Sequence, residues 1–132
     1  MTRRLRVAAS RPDRHYAAVR ALRMSAEAVD AAAIESVLDP AVEMLTDGGG
    51  MVGANPHGVR GSVAVARRIC DVLQRQPAEI SEAEINGLPG LVFRRGGAVD
   101  AVISVKVRRG RVTDIWVVLN PEKLRHWNAP QD

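Results

Sequence analysis

Two short stretches concentrate residues suited to directed contacts: Asp47-Gly48-Gly49-Gly50, and Asn120-Pro121-Glu122-Lys123-Leu124. Asp47 offers a carboxylate and Lys123 an ammonium, opposite charges fit for an electrostatic contact, and the glycines lack the Cβ that keeps another backbone at a distance. Ordering a glycine costs about 0.5–1 kcal/mol relative to alanine, so a run of three implies a turn, a close approach or a loose segment. Asn120 and Pro121 mark a strand end followed by a short helical turn that carries Lys123 and Leu124. A plain strand end and cap would account for the same residues, and both readings stand.

Acid–base catalysis needs a carboxylate or a histidine held in a desolvated cavity. The candidates for a pocket wall are His15 and Tyr16 on a first helix, Met44 on a first strand and Trp116 on a last one. His15 and Tyr16 also fit ordinary helix packing. Trp116, between Ile115 and Val117, is either a core plug or a pocket wall. His57 lies in an Asn-Pro-His-Gly loop and His126 follows the terminal motif, so neither has a fixed relation to Asp47. No catalytic residue is assigned. Three scattered histidines and the single Cys70 lack ligand spacing, so neither a metal nor a cofactor is expected.

At 132 residues the chain suits one domain, whose folding removes about two-thirds of the unfolded surface from water. Aromatic residues are 3% of the chain against 46% hydrophobic, so the core is built from Ala, Val, Leu and Ile and can leave a cavity for a small apolar ligand. The net charge is +4, and residues 1 to 25 hold seven arginines against one acid, Asp13. That basic end suits a nucleic acid or an acidic protein surface, or is a solvated arm. Residues 1–12 read as a basic leader or linker, 13–127 as the domain and 128–132 as a tail. Cys70 reads as a buried structural thiol. No apolar run approaches the ~20 residues that cross a bilayer, and no signal-peptide core follows Arg3, Arg4 and Arg6, so no membrane partner and a cytoplasmic location are expected.

The periodicity predicts a helix over 13–28, then a second capped by Asp30 and running through Leu38 until Asp39-Pro40 breaks it. A strand follows at Ala41 to Thr46, with Val42, Met44 and Thr46 on one face. A third helix starts at Gly61-Ser62 with Val63, Ala66, Ile69, Cys70 and Leu73 inward and ends near Gln76-Pro77. From Glu79 the period becomes two, predicting strands at 79–86, 90–95, 98–108 and 111–119. The order describes an α+β domain, about three helices collected on one face of a curved, mostly antiparallel sheet. Val105, Val107, Val117 and Leu119 are expected on an outer apolar face suited to a homodimer.

This order, with its two signatures, resembles the cone-shaped SnoaL-like domains of the nuclear transport factor 2-like superfamily. More narrowly it is similar to the carboxy-terminal extension of extracytoplasmic-function sigma factors. That extension carries a DGGG motif and a terminal NPDKL motif, matched here by Asp47 to Gly50 and by Asn120 to Leu124 with Glu122 in place of Asp. Ile85 to Val92 resembles the family's NG.PG turn, and Met51 stands where a basic residue is usual. The resemblance implies a regulatory module that contacts sigma regions or RNA polymerase through the two motifs and does not itself read a promoter. Related cone-shaped domains include isomerases and polyketide cyclases. Where those isomerases place their base, this chain has Met44 and Leu45, so the resemblance leans toward binding and away from catalysis.

Overall fold

The computed structural model describes residues 11–48, 58–119 and 121–128. Gly49, Gly50, Met51, His57, Asn120 and the leader before Arg11 lie outside the described residues. Helix α1 (Arg11–Glu27) starts two residues earlier than the periodicity predicts, and buries Ala18, Val19, Leu22 and Ala26. These positions recur every three or four residues and so share one helix face. Asp30 caps α2 (Ala31–Val37) by accepting a hydrogen bond from the Ala33 amide at 3.1 Å.

Strand β1 (Leu38–Asp47) begins three residues before the predicted strand, because Leu38 is wholly buried and pairs with Val112. Pro40 is tolerated within it because the β1 register is interrupted between Leu38 and Glu43, where no ladder donor is needed. A two-residue strand, β2 (Val59–Arg60), pairs with Met44 and Glu43 of β1. Helix α3 (Ser62–Arg75) buries Val65, Ala66, Cys70 and Leu73. Val63, expected inward, is 52% exposed. It stands two residues, about 200° of helix rotation, from the fully buried Val65.

Strands β3 (Glu79–Ile85), β4 (Leu88–Arg95), β5 (Ala98–Arg108) and β6 (Arg111–Val118) form an antiparallel meander. Each of its turns has two central residues at positive φ: Asn86-Gly87, Gly96-Gly97 and Arg109-Gly110. That is the type I′ geometry whose twist matches the flanking strands, and it explains the residue types at these turns. The six strands run in the order β2-β1-β6-β5-β4-β3, with β1 and β6 the parallel neighbours. The result is the α+β architecture expected.

The sheet is covered on both faces. On the inner face α1, α2 and α3 pack against Met44, Leu91, Phe93, Ile103, Val105 and Ile115. The Arg23 guanidinium ties α1 to β3 through Glu82 at 2.6 Å. On the outer face helix α4 (Pro121–Asn128) sets Leu124 into a second cluster with Ile85, Val92, Val99 and Val102. Val105, Val107, Val117 and Leu119 therefore do not form an outer face: all four pack with the inner core. Val105 and Val107 share that face by simple alternation along β5, and the extra residue of the ladder, Thr113 on β6, lets Val112 face inward with Ile115.

Candidate docking surface and cavity

The two signatures meet at one edge of the sheet. Strands β1 and β6 run in parallel and end together, with Asp47 opposite Val118 and the Leu119 amide donating to the Asp47 carbonyl at 2.8 Å. The chain then turns into α4, which returns Lys123 to Asp47, and the ammonium donates to the carboxylate Oδ2. Gly48 is buried beside this pair. Helix α4 is held by Leu124 beneath it and by Asn128 at its end. The Asn128 side chain accepts from the Val99 amide at 2.7 Å and donates to the Val99 carbonyl at 3.0 Å. Pro121 supplies the first residue of α4, where a missing amide hydrogen costs nothing.

Beside this ion pair lies an apolar patch. Side chains alternate along a strand, so Leu45 shares the outer face of β1 with Asp47, and Trp116 shares the outer face of β6 with Val118. Leu45 and Trp116 stand directly opposite in the parallel ladder and are 42% and 43% exposed. Trp116 is thus neither core plug nor pocket wall, because its inward-facing neighbours Ile115 and Val117 occupy those positions. Leu45 and Trp116 thus form a small exposed apolar patch beside the charged rim.

A separate cavity of about 610 Å³ lies on the inner face between the sheet and α1 and α3. Met44, Phe93, Ile103, Ile115 and Val117 form much of its apolar wall, and Arg68, Arg75 and Arg95 stand among its polar residues. Of the four residues predicted for a pocket, Met44 lines this space. His15 is buried elsewhere, its Nε2 2.9 Å from the Pro89 carbonyl, and Tyr16 is exposed under the Arg20 guanidinium.

Asp100 is the one carboxylate on the cavity wall among the described residues, and Arg95 is ion-paired to it. The pairing follows from a register shift: between Phe93↔Ala101 and Arg94↔Val99, β5 holds one extra residue, Asp100. Arg95 also donates to the Gln76 carbonyl at 2.8 and 3.1 Å, and burial lowers its pKa. Among the described residues no histidine lines the cavity. Among the described residues no group of three or more His, Cys, Asp or Glu is placed to hold a metal ion, and no helix is long and apolar enough to cross a membrane. The bulge that supplies Asp100, like β2, carries no periodic signal in the sequence.

No protein-family model matches the chain, and no curated protein does. Solved structures do. The extracytoplasmic function sigma factor SigJ of Mycobacterium tuberculosis superposes with a TM-score of 0.68 and 27% identity, over 83% of this chain and 43% of the sigma factor. The chain thus matches less than half of that sigma factor's length. RV0760c of Mycobacterium tuberculosis, in complex with estradiol-17beta-hemisuccinate, matches with a TM-score of 0.61 and 13% identity over 83% of this chain and 95% of that one. An epoxide hydrolase of the LEH-like type from the same organism matches with a TM-score of 0.55 and 14% identity, over 86% and 90%. The last two likenesses are of fold.

Proposed function

We propose that this SnoaL-like (nuclear transport factor 2-like) domain, which resembles the carboxy-terminal extension of extracytoplasmic-function sigma factors, is a regulatory docking module. It engages sigma regions or RNA polymerase through the outer-face surface made of Leu45, Trp116 and the Asp47–Lys123 rim. The observation that carries the reading is that two signatures, the Asp47 carboxylate and the Lys123 ammonium 76 residues apart in the chain, close on each other beside exposed apolar side chains. The ion pair closes the rim, and Leu45 and Trp116 supply the desolvated centre that binding energy concentrates on. The likeness to SigJ supplies the partner class.

Isothermal titration calorimetry against the promoter-recognising regions of an extracytoplasmic-function sigma factor tests this. Trp116→Ser and Asp47→Ala are each expected to weaken binding by about tenfold or more, the range of a truncated interface anchor. Binding unchanged in both variants overturns the reading. Self-association that Trp116→Ser abolishes, with no sigma binding, assigns the surface to a second copy of the chain.

The cavity favours a second reading, capture of a small apolar molecule as an effector. Its wall is dominated by aliphatic side chains, and the fold is shared with a protein solved in complex with a steroid ester. Filling the space with Val117→Phe is expected to abolish fluorescence enhancement of an apolar probe such as anilinonaphthalene sulfonate. Catalysis in this cavity would fall to Asp100, whose pairing with Arg95 holds it as a structural ion.

A further inference from the structure

The hairpin between β5 and β6 carries charge that the fold does not use. Arg108 and Arg111 stand directly opposite in the ladder, and Arg109 occupies the turn between them at a φ of 53°. Like charges placed opposite each other destabilise a hairpin. Elsewhere Arg23, Arg60, Arg75, Arg95, Lys123 and Arg125 each lie within 4.0 Å of a carboxylate. Arg108, Arg109 and Arg111 are exposed and have no such partner among the described residues. They line a groove of about 690 Å³ together with Lys106. The groove's four cations outnumber its two acids, Asp39 and Asp114, whose carboxylates accept from the Ala41 amide and the Thr113 hydroxyl, both at 2.8 Å.

The backbone presents these cations on a free ribbon. The β4–β5 ladder ends at Leu91↔Ile103, and β1 meets this end of β6 at Leu38↔Val112 alone. Past those pairs the hairpin continues as two strands joined by Arg109-Gly110. Apart from Pro40 and Ala41 the groove is lined by polar side chains, so it offers a protein partner no apolar anchor. Guanidinium groups match phosphate oxygens in a bidentate fork, and a two-stranded ribbon is narrow enough to follow a duplex groove.

We infer that the Arg108-Arg109-Gly110-Arg111 ribbon is a sequence-independent contact for the phosphodiester backbone of double-stranded DNA. It lies apart from the Leu45–Trp116 surface, and its test does not depend on the docking reading. Three phosphate contacts release counterions with a log–log salt slope of about −2.7, a loss of about fortyfold between 50 and 200 mM salt.

Fluorescence anisotropy of a labelled duplex of arbitrary sequence, titrated with the full chain at both salt concentrations, measures that slope. The variant Arg108→Gln/Arg109→Asn/Arg111→Gln, with Asn chosen because it tolerates positive φ, is expected to flatten the slope to near zero and weaken low-salt binding at least tenfold at an unchanged melting temperature. Arg3→Gln/Arg4→Gln/Arg6→Gln makes the same change in net charge in the basic leader and serves as the control. Equal binding by the ribbon variant and the unmodified chain overturns the inference. So does a loss that follows the leader variant instead, or polyglutamate competing as well as unlabelled duplex.

Discussion

Lys123 is ion-paired to Asp47 across the junction where β1 and β6 end and α4 begins, so the two signature stretches form one structural unit. Each side chain is more than a third exposed, and a pair in that position contributes below about 1 kcal/mol to stability. A double-mutant cycle with Asp47→Ala and Lys123→Ala, read by urea unfolding, is expected to return a coupling energy in that range that shrinks as salt rises. A coupling of several kcal/mol would make the pair a fold element and leave the docking surface to Leu45 and Trp116.

Helix α4 depends on two anchors. Leu124→Ala removes a buried side chain from the outer-face cluster and is expected to cost about 2–5 kcal/mol. Asn128→Ala leaves the Val99 amide and carbonyl unpaired, at about 1–3 kcal/mol. Amide hydrogen exchange separates the two effects: the asparagine variant should deprotect Val99 locally, while the leucine variant should lower the global unfolding midpoint.

Gly87 in the β3–β4 turn and Gly90 within β4 answer to different physics. A Cβ on Gly90 would meet the Ile85 Cδ1 at 2.5 Å and the Ile103 carbonyl oxygen at 2.6 Å, so Gly90→Ala forces β4 away from β5. The expected loss is about 1–3 kcal/mol in thermal or urea unfolding. At Gly87, with φ at +83° and nothing within 4 Å, Gly87→Asn should cost less than about 1 kcal/mol, because asparagine tolerates the left-handed region.

Burial raises the pKa of the Cys70 thiol, and the Asp30 carboxylate adds to the effect. The unfolded thiol ionises at about 8.5, so above that pH the unfolded state binds fewer protons than the folded state. Stability therefore falls as pH climbs from the unfolded thiol's value toward the raised folded one. Cys70→Ala is expected to lose less stability than the unmodified chain as pH rises above about 8.5, measured by urea midpoints. Parallel curves for the two proteins would show that the thiol makes no such contribution.

Local chemistry makes much of the fold legible in the sequence. The change of period at Glu79 and the Asp30 cap each act over a few residues, and both appear where expected. The interruption of β1 at Pro40, the two-residue β2 and the extra residue Asp100 in β5 were not legible, since each is set by a neighbouring strand distant in sequence.

By itself the sequence determined the order of the elements other than β2 and the residue types of the two signatures, because propensity and periodicity are properties of short segments. Tertiary structure decided which face each residue serves. Val117 went to the cavity wall and Trp116 to solvent because β6 pairs in parallel with β1 and alternates its side chains across a sheet covered on both faces. It also decided that Asp47 and Lys123 meet, since only chain closure through the β1–β6 pair brings groups 76 residues apart within reach of one another.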